Sequence, residues 1–436
     1  MLFLQNSNTF LTFFQKNSHT ILITPERRVL IMKTTRLYMF FTFLALLFLC
    51  WCHMANRPLP HPQTAPLTSL PPGHIDAADP ASPALKLYAS GACLMDTASR
   101  RVLYGKEENT ALPMASTTKI MTCLLALENG NPDSEVSFSK RASSMPKVHL
   151  GAPAGSSFRL NDLLYSLMLE SHNDTAVAIA EHIGGSVEGF AAMMNAKAAE
   201  IGMTQTNFVT PNGLDADRHG STPADMCRLA SYAVGNEAFL QIIQTPSRTI
   251  TSIHGSRSYS LSNKDAFLTS YPGALGIKTG FTGKAGYCFV GAAKREDRTF
   301  VSCVLGSGWP PNKSYKWKDT KTLMDFGFNN YSYQNIPIQD LSSIQIPVTD
   351  GKSDTVSITT PEIPAFLLSP YDSIDIAYNI SSSLRAPVRK EVSAGTVTIS
   401  INQMPVGSFP VYPQEDIEKL ELRDIIRQIL EAYSSF

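Results

Sequence analysis

Two β-prone runs, Ala285 to Lys294 and Thr299 to Leu305, are joined by the polar turn Arg295-Glu296-Asp297-Arg298; this hairpin constrains the fold more than any other feature. Near the other end of the same region, Ala92 to Asp96 and Arg101 to Tyr104 read as two strands around a short turn. The intervening residues read as helices. The first has Pro113 in its first turn and an apolar stripe through Ile120, Cys123, Leu124 and Leu127. A second starts near Asn161 with Leu163, Leu164, Leu167 and Met168, and a third starts near Asp174 and stops at Gly184-Gly185. A fourth spans Val187 to Ile201, and Thr222 followed by Pro223 opens a fifth. Strands at both ends and helices between them predict an α+β fold, one antiparallel sheet packed by a helical cluster.

From about Asn335 the pattern changes. Ile344 to Val348, Thr355 to Thr359, Ile374 to Tyr378 and Thr396 to Ile401 are short β-prone runs broken by Pro and Gly, which predicts a small all-β domain. Glu415 to Tyr433 then reads as a helix with Leu422, Ile425, Ile426, Ile429, Leu430 and Tyr433 on one face. A chain of 436 residues is long enough for two such cores. Its 37 Lys+Arg balance its 37 Asp+Glu, so no basic excess points to nucleic acid. It has neither a His-Glu-x-x-His helix nor a Cys-x-x-Cys pair, and no metal or other cofactor is expected. The cysteines, at 50, 52, 93, 123, 227, 288 and 303, are too sparse for a disulfide framework; Cys288 and Cys303, on adjacent predicted strands, are the one pair placed to face each other.

Lys33-Thr34-Thr35-Arg36 precedes an apolar run from Leu37 to Cys52, interrupted only by Thr42. As a helix the run would span roughly 24 Å, short of the ~30 Å hydrocarbon core. Residues 1–55 are therefore read as a signal peptide or N-terminal anchor, with Met32 as an alternative start. Residues 56–84, rich in Pro, Ala, Thr and Ser, read as a linker.

Three short motifs carry the chemistry. Ser116-Thr-Thr-Lys119 lies on the first helix, where a spacing of i to i+3 puts hydroxyl and amine on one face. A serine hydroxyl needs a neighbour to take its proton, and lysine can do so only if burial or a nearby positive charge lowers its pKa. Ser171-His172-Asn173 falls at a junction between helices, with a hydroxyl and a carboxamide to point into a cleft. Lys278-Thr279-Gly280 precedes the hairpin and offers a second positive charge, a hydroxyl for a carboxylate, and close backbone approach. Each motif alone is weak, since Ser137-Phe-Ser-Lys140 and Ser144-Met-Pro-Lys147 also match the first and Ser400-Ile-Asn402 the second. Order and context select the trio: Ser137 and Ser144 lie in a Pro-broken polar stretch with no obvious helix, and Ser400 lies in the β domain.

Ser-x-x-Lys, Ser-x-Asn and Lys-Thr-Gly in this order resemble the active-site trio of the penicillin-binding proteins and serine β-lactamases. Met114 to Thr122, Ser171 to Ala180, Asn212-Gly-Leu214, His219 to Met226 and Gly276 to Thr282 look like the D-alanyl-D-alanine carboxypeptidases of low molecular mass. The resemblance is strong over about residues 85–310. It implies a penicillin-binding, β-lactamase-like catalytic domain over 85–334, a β-rich domain over 335–413 and a terminal amphipathic helix over 414–436. It also implies that Ser116 is the acylated nucleophile, Lys119 the base and Ser171 a proton relay. Asn173 would orient the substrate and Lys119, Lys278 and Thr279 would hold the terminal carboxylate with Gly280 beside them, and the backbone N–H groups of Ser116 and Phe281 would form the oxyanion hole. The implied partners are a peptidoglycan stem peptide ending in D-Ala-D-Ala and β-lactam antibiotics; for the terminal helix the resemblance implies a membrane surface, and packing on the β domain is the competing reading, since Glu421, Asp424 and Glu431 against Arg423 and Arg427 make a poor charge set for anionic lipid. The implied place is outside the cytoplasm, at the membrane or wall. His172 stands where Gly is frequent and Phe281 where His or Tyr is frequent; His172 is read as a cleft-wall residue.

Two other readings compete. A β-lactamase that activates water with Glu needs Glu-x-x-x-Asn about 35 residues past the second motif, and Glu200 is followed four residues on by Thr204. A non-catalytic penicillin-binding wall protein would be expected to have lost Ser116, Lys119 or Lys278, and none is lost.

Overall fold

The computed structural model describes residues 83–434 except 256. The expected leader and almost all of the linker lie outside the described residues. Strands β1 (Gly91–Asp96) and β2 (Val102–Lys106) open the described chain. A 3-10 turn, Ala115–Thr118, runs straight into α1 (Lys119–Asn129). Then come α2 (Leu160–Tyr165), a π-helical turn at Ser166–Glu170, α3 (Asn173–Gly184), α4 (Val187–Glu200), α5 (Pro223–Ala233) and α6 (Glu237–Gln244). Strands β3 (Ala274–Thr282), β4 (Gly286–Arg295) and β5 (Arg298–Leu305) follow, then α7 (Tyr315–Asn330).

Local chemistry sets several of these ends. Thr222 Oγ1 accepts the Asp225 N–H and Pro223 takes the first turn of α5, as expected. Gly185, at φ +71°, ends α3 in the left-handed conformation. Pro113, in contrast, stays outside the helix: Leu112 bridges to Ser221, and the helical turn starts only at Ala115.

The five strands form one antiparallel sheet in the order β2-β1-β5-β4-β3, leaving β3 at an edge. Alternation along each strand assigns its two faces. Cys93, Met95, Val290, Ala292, Val301 and Cys303 pack with the helices α1 to α6, while Ala92, Leu94, Phe289, Phe300 and Val304 pack with Leu323 and Met324 of α7. Cys288 and Cys303 do not bridge. Register puts Val290 and Cys93 opposite Cys303 and Gly280 opposite Cys288, and all five cysteines from 93 to 303 are buried and free.

Strands β6 (Gln345–Thr349) and β7 (Thr355–Ser357) pair antiparallel, and β8 (Ile374–Ile380), β9 (Gly395–Ile401) and β10 (Met404–Val411) form a second small sheet around Val356, Val397, Val411 and Ile417. Arg101, beside β2, forms a buried ion pair with Asp372 and donates to the Leu367 carbonyl, tying these strands to the larger sheet. The last helix, α8 (Leu422–Ser434), is shorter than its sequence pattern implies. Ile417 and Lys419 instead bridge to Val388 and Gly351 as part of the β structure. Among the described residues no helix is long and apolar enough to cross a membrane.

Candidate active site

The tight turn before α1 brings Ser116 and Lys119 one turn apart, and Lys119 is fully buried. Its Nζ donates to Ser116 Oγ at 2.9 Å, Asn173 Oδ1 at 2.8 Å and the Asn212 carbonyl at 2.7 Å. Three acceptors saturate the donors of an ammonium. Burial drives the Lys119 pKa well below its ordinary value, the Lys278 charge adds to the fall, and Asp174 opposes it. Ser116 Oγ also donates to the Asn212 carbonyl, at 3.3 Å.

The start of α3 supplies the next wall. Asn173 is buried; its Nδ2 donates to the Pro146 carbonyl at 3.1 Å and its N–H to Val148 at 2.8 Å. The Asp174 carboxylate accepts the N–H groups of Leu150 and Gly151 at 2.8 and 2.9 Å, so the 146–151 loop is pinned against the cleft from two adjacent residues. Ser171, at φ +66°, forms the corner between the π-helical turn and α3. It is half-buried and no hydrogen bond joins it to Ser116 or Lys119 among the described residues. His172 is a wall residue: its Nδ1 and Ser166 Oγ share a hydrogen bond of 2.8 Å, and burial pulls its pKa down to about 4, leaving a neutral imidazole.

Lys278, Thr279 and Gly280 lie on the edge strand β3. Lys278 is buried, its Nζ donates to the Thr279 carbonyl at 3.2 Å, and burial lowers its pKa to about 8 against the opposing charge of Asp265. A Cβ on Gly280 would meet the Ser116 backbone nitrogen at 3.0 Å and the Met114 carbonyl at 3.1 Å. Glycine is what lets this strand approach the backbone of Ser116. Phe281 follows, with its ring 44% exposed.

The structure thus gathers Ser116, Lys119 and Asn173 by direct contact, Gly280 by close approach, and Lys278 electrostatically. Ser137 and Ser144 are elsewhere: Ser137 sits in a short strand bonded to Ser157, and Ser144 follows a single short helix, Lys140–Ser143.

Four contributors were not assigned from sequence. Asn212 acts through its carbonyl, and Gly213, at φ +82°, lets that loop press on Ala115. His219 reaches Thr118 Oγ1 at 3.1 Å while its Nδ1 accepts the Val209 N–H. Asp265 lies near Lys278 with Oδ1 accepting the Phe267 N–H and Oδ2 without a hydrogen-bond partner. The Asn-Gly dipeptide is a visible turn signal, but nothing in residue type announces a functional carbonyl.

Comparison with known proteins points the same way. The sequence profile described as D-alanyl-D-alanine carboxypeptidase, Peptidase S11, matches residues 77–308. The D-alanyl-D-alanine carboxypeptidase DacF of Bacillus subtilis is 28% identical over 356 residues, covering 80% of this chain and 90% of that protein. DacB2 of Mycobacterium tuberculosis is 36% identical over 235 residues, covering 53% of this chain and 80% of that protein. Among solved structures, the Streptomyces K15 DD-transpeptidase superposes with a TM-score of 0.53 at 32% identity over 57% of this chain and 100% of its own. Penicillin-binding protein 5 of Haemophilus influenzae, at 23% identity and a TM-score of 0.61, shares the fold over 78% of this chain and 100% of its own.

Proposed function

This chain belongs to the D-alanyl-D-alanine carboxypeptidase family S11, and from that premise we propose that it removes the terminal D-alanine from peptidoglycan stem pentapeptides through an ester on Ser116. The observation that carries the reading is the fully buried Lys119 amine, held 2.9 Å from Ser116 Oγ with its pKa depressed by burial and Lys278. In its neutral form Nζ accepts the Ser116 proton as Oγ attacks the penultimate D-Ala carbonyl. The N–H groups of Ser116 and Phe281 receive the oxyanion. Lys278 and the Thr279 hydroxyl hold the terminal carboxylate. Ser171, at the cleft corner, passes a proton to the departing D-alanine amine. Water then cleaves the ester, returning the proton to Ser116. A β-lactam, whose strained amide replaces the scissile bond, acylates the same hydroxyl.

The reaction belongs outside the cytoplasm, where the polymer is, which fits the apolar run at Leu37 to Cys52. On α8, Leu422, Ile426, Ile429 and Leu430 are 49–71% exposed. Among the described residues these side chains have no cover from the β domain, and we assign the face to the membrane surface; in a protein lacking residues 1–55, deleting residues 422–436 should release it to the soluble fraction, and unchanged membrane recovery would reject this placement. Mass spectrometry of a stem pentapeptide incubated with the enzyme tests the reaction itself. Loss of one D-alanine, absent with Ser116→Ala, is expected; an intact peptide beside active wild-type penicillin acylation would reject carboxypeptidase action.

A further inference from the structure

The proposed roles fix the direction in which the substrate leaves the site. With the terminal carboxylate at Lys278 and Thr279 and the acyl carbonyl at Ser116 and Phe281, the rest of the stem runs on past Thr282 towards the β3–β4 hairpin tip at Gly283. On the helical-cluster side of that tip Thr282 Oγ1 donates to Asp215 Oδ1 at 3.0 Å, an exposed bridge from the strand to the loop after Asn212. The α7 side carries aromatic rings. Phe281 packs at a 34° tilt against its cross-strand partner Tyr287 with centroids 4.6 Å apart, and Lys316 of α7 lies 4.8 Å over the Tyr287 ring. Trp309, 42% exposed, donates its Nε1–H to the Gly283 carbonyl at 2.9 Å and lies against Gly286, where a Cβ would meet the indole at 2.9 Å. Gly308 in turn abuts Tyr315, and Tyr315 stacks on Tyr88 at 3.7 Å with the rings 18° from parallel. Tyr88 is 52% exposed, the most exposed aromatic ring among the described residues.

These rings make a strip across one end of the sheet, from β3 at the catalytic edge to the segment that enters β1. Three strand spacings separate β3 from β1 in the sheet order, about 14 Å in all. The four stem residues from the acyl D-alanine back to the sugar span about 13 Å when extended. A stem and the sugar that carries it are together of the order of this path, and the continuity of the strip with the cleft names the occupant. An exposed apolar surface that adjoins a catalytic groove marks a ligand path, and flat aromatic faces receive the C–H faces of sugar rings.

We propose that Phe281, Trp309 and the stacked Tyr88–Tyr315 pair form an acyl-side subsite that carries the stem over the hairpin and seats a glycan sugar ring on Tyr88. This inference rests on the proposed carboxypeptidase reading. It makes the enzyme selective for stems attached to saccharide over free peptides with the same D-Ala-D-Ala end.

The test compares kcat/KM on two substrates, a disaccharide-linked pentapeptide and an N-acylated tripeptide ending in D-Ala-D-Ala, by released D-alanine. Tyr88→Ala removes a surface ring and leaves the Tyr88 backbone N–H bonded to Asp319. The ratio of glycan-linked to free-peptide kcat/KM should fall about tenfold, and Tyr88→Trp should restore it. Trp309→Ala should lower the same ratio. A ratio equal to that of the wild type, or both substrates declining in parallel, would overturn the subsite while leaving the reaction intact. A wild type that releases D-alanine from neither substrate would overturn the reaction and the subsite together.

Discussion

Gly213 is where a single methyl group should cost the most. Its φ of +82° is left-handed, a conformation that costs an alanine about 1–2 kcal/mol. An ideal Cβ there would stand 2.0 Å from the Ala115 carbonyl oxygen, 2.4 Å from its carbon and 2.9 Å from Thr118 Oγ1. Two of those atoms are backbone, so the loop and the turn that carries Ser116 must part by more than an ångström. Overpacking of that kind costs about 1–3 kcal/mol, which brings the total for Gly213→Ala to roughly 2–5 kcal/mol. At roughly 2–4 °C per kcal/mol for a domain of this size, the melting temperature should drop by about 4–20 °C. The neighbouring Asn212 carbonyl holds both Lys119 Nζ and Ser116 Oγ, so the relaxation also moves the nucleophile off its base. Misplacement on this scale costs about 100-fold in rate. Thermal melts and the rate of labelled-penicillin acylation, measured well below the melting point, read the two effects separately. A Gly213→Ala protein that melts and acylates like the wild type would show that neither the left-handed backbone nor the close contact with Ala115 constrains this turn.

Lys119→Ala should slow penicillin acylation by orders of magnitude while Ser116 remains in place; acylation within a few-fold of wild type would remove Lys119 as the base. Lys278 titrates at about 8, so KM for a peptide ending in a carboxylate should rise as pH climbs through 8. Asp265 holds that pKa up, so Asp265→Asn should make the rise begin at lower pH, and an unmoved profile or a shift upward would exclude the coupling. His172 and His219 are both lowered from 6.5 to about 4 by burial. A histidine held neutral in the fold contributes stability that is present above pH 6.5 and lost as pH falls towards 4, about 3 kcal/mol each. Urea midpoints should therefore decline between pH 7 and pH 4.5, with a shallower decline in His172→Asn; equal midpoints at the two pH values would contradict it.

The parts legible in the sequence were those that periodicity and residue type encode. β-prone residues on either side of the polar turn Arg295 to Arg298 marked the β4–β5 hairpin, and Thr222-Pro223 and Gly184-Gly185 marked helix ends that the structure keeps. Ser116 and Lys119 were legible as a pair because one helical turn brings them together whatever surrounds them. The strand β3 was harder: Gly276 and Gly280 interrupt its pattern, and it is Gly280's closeness to Ser116, a tertiary fact, that explains the glycine. Helix α7, with polar residues through Lys316-Trp317-Lys318-Asp319, gave no clean stripe because two of its charges, Lys316 and Asp319, are buried. Asp319 is satisfied there by the Tyr88 and Ala89 N–H groups and Ser307 Oγ, from segments far off in the chain. Asn212 stayed hidden for a similar reason, since any residue brings a carbonyl and only the folded loop aims it at Lys119. Glu415 to Glu421 looked helical from composition, but pairing with Val388 and Gly351 outweighed that local preference.

Every role assigned to the cleft depends on covalent acylation of Ser116. Incubating the protein with a labelled penicillin, digesting it and mapping the label by mass spectrometry tests this directly. A single penicilloyl group on the peptide containing Ser116, absent from Ser116→Ala, is the predicted result. Label on the peptides of Ser137 or Ser144, or undiminished label in Ser116→Ala, would contradict it.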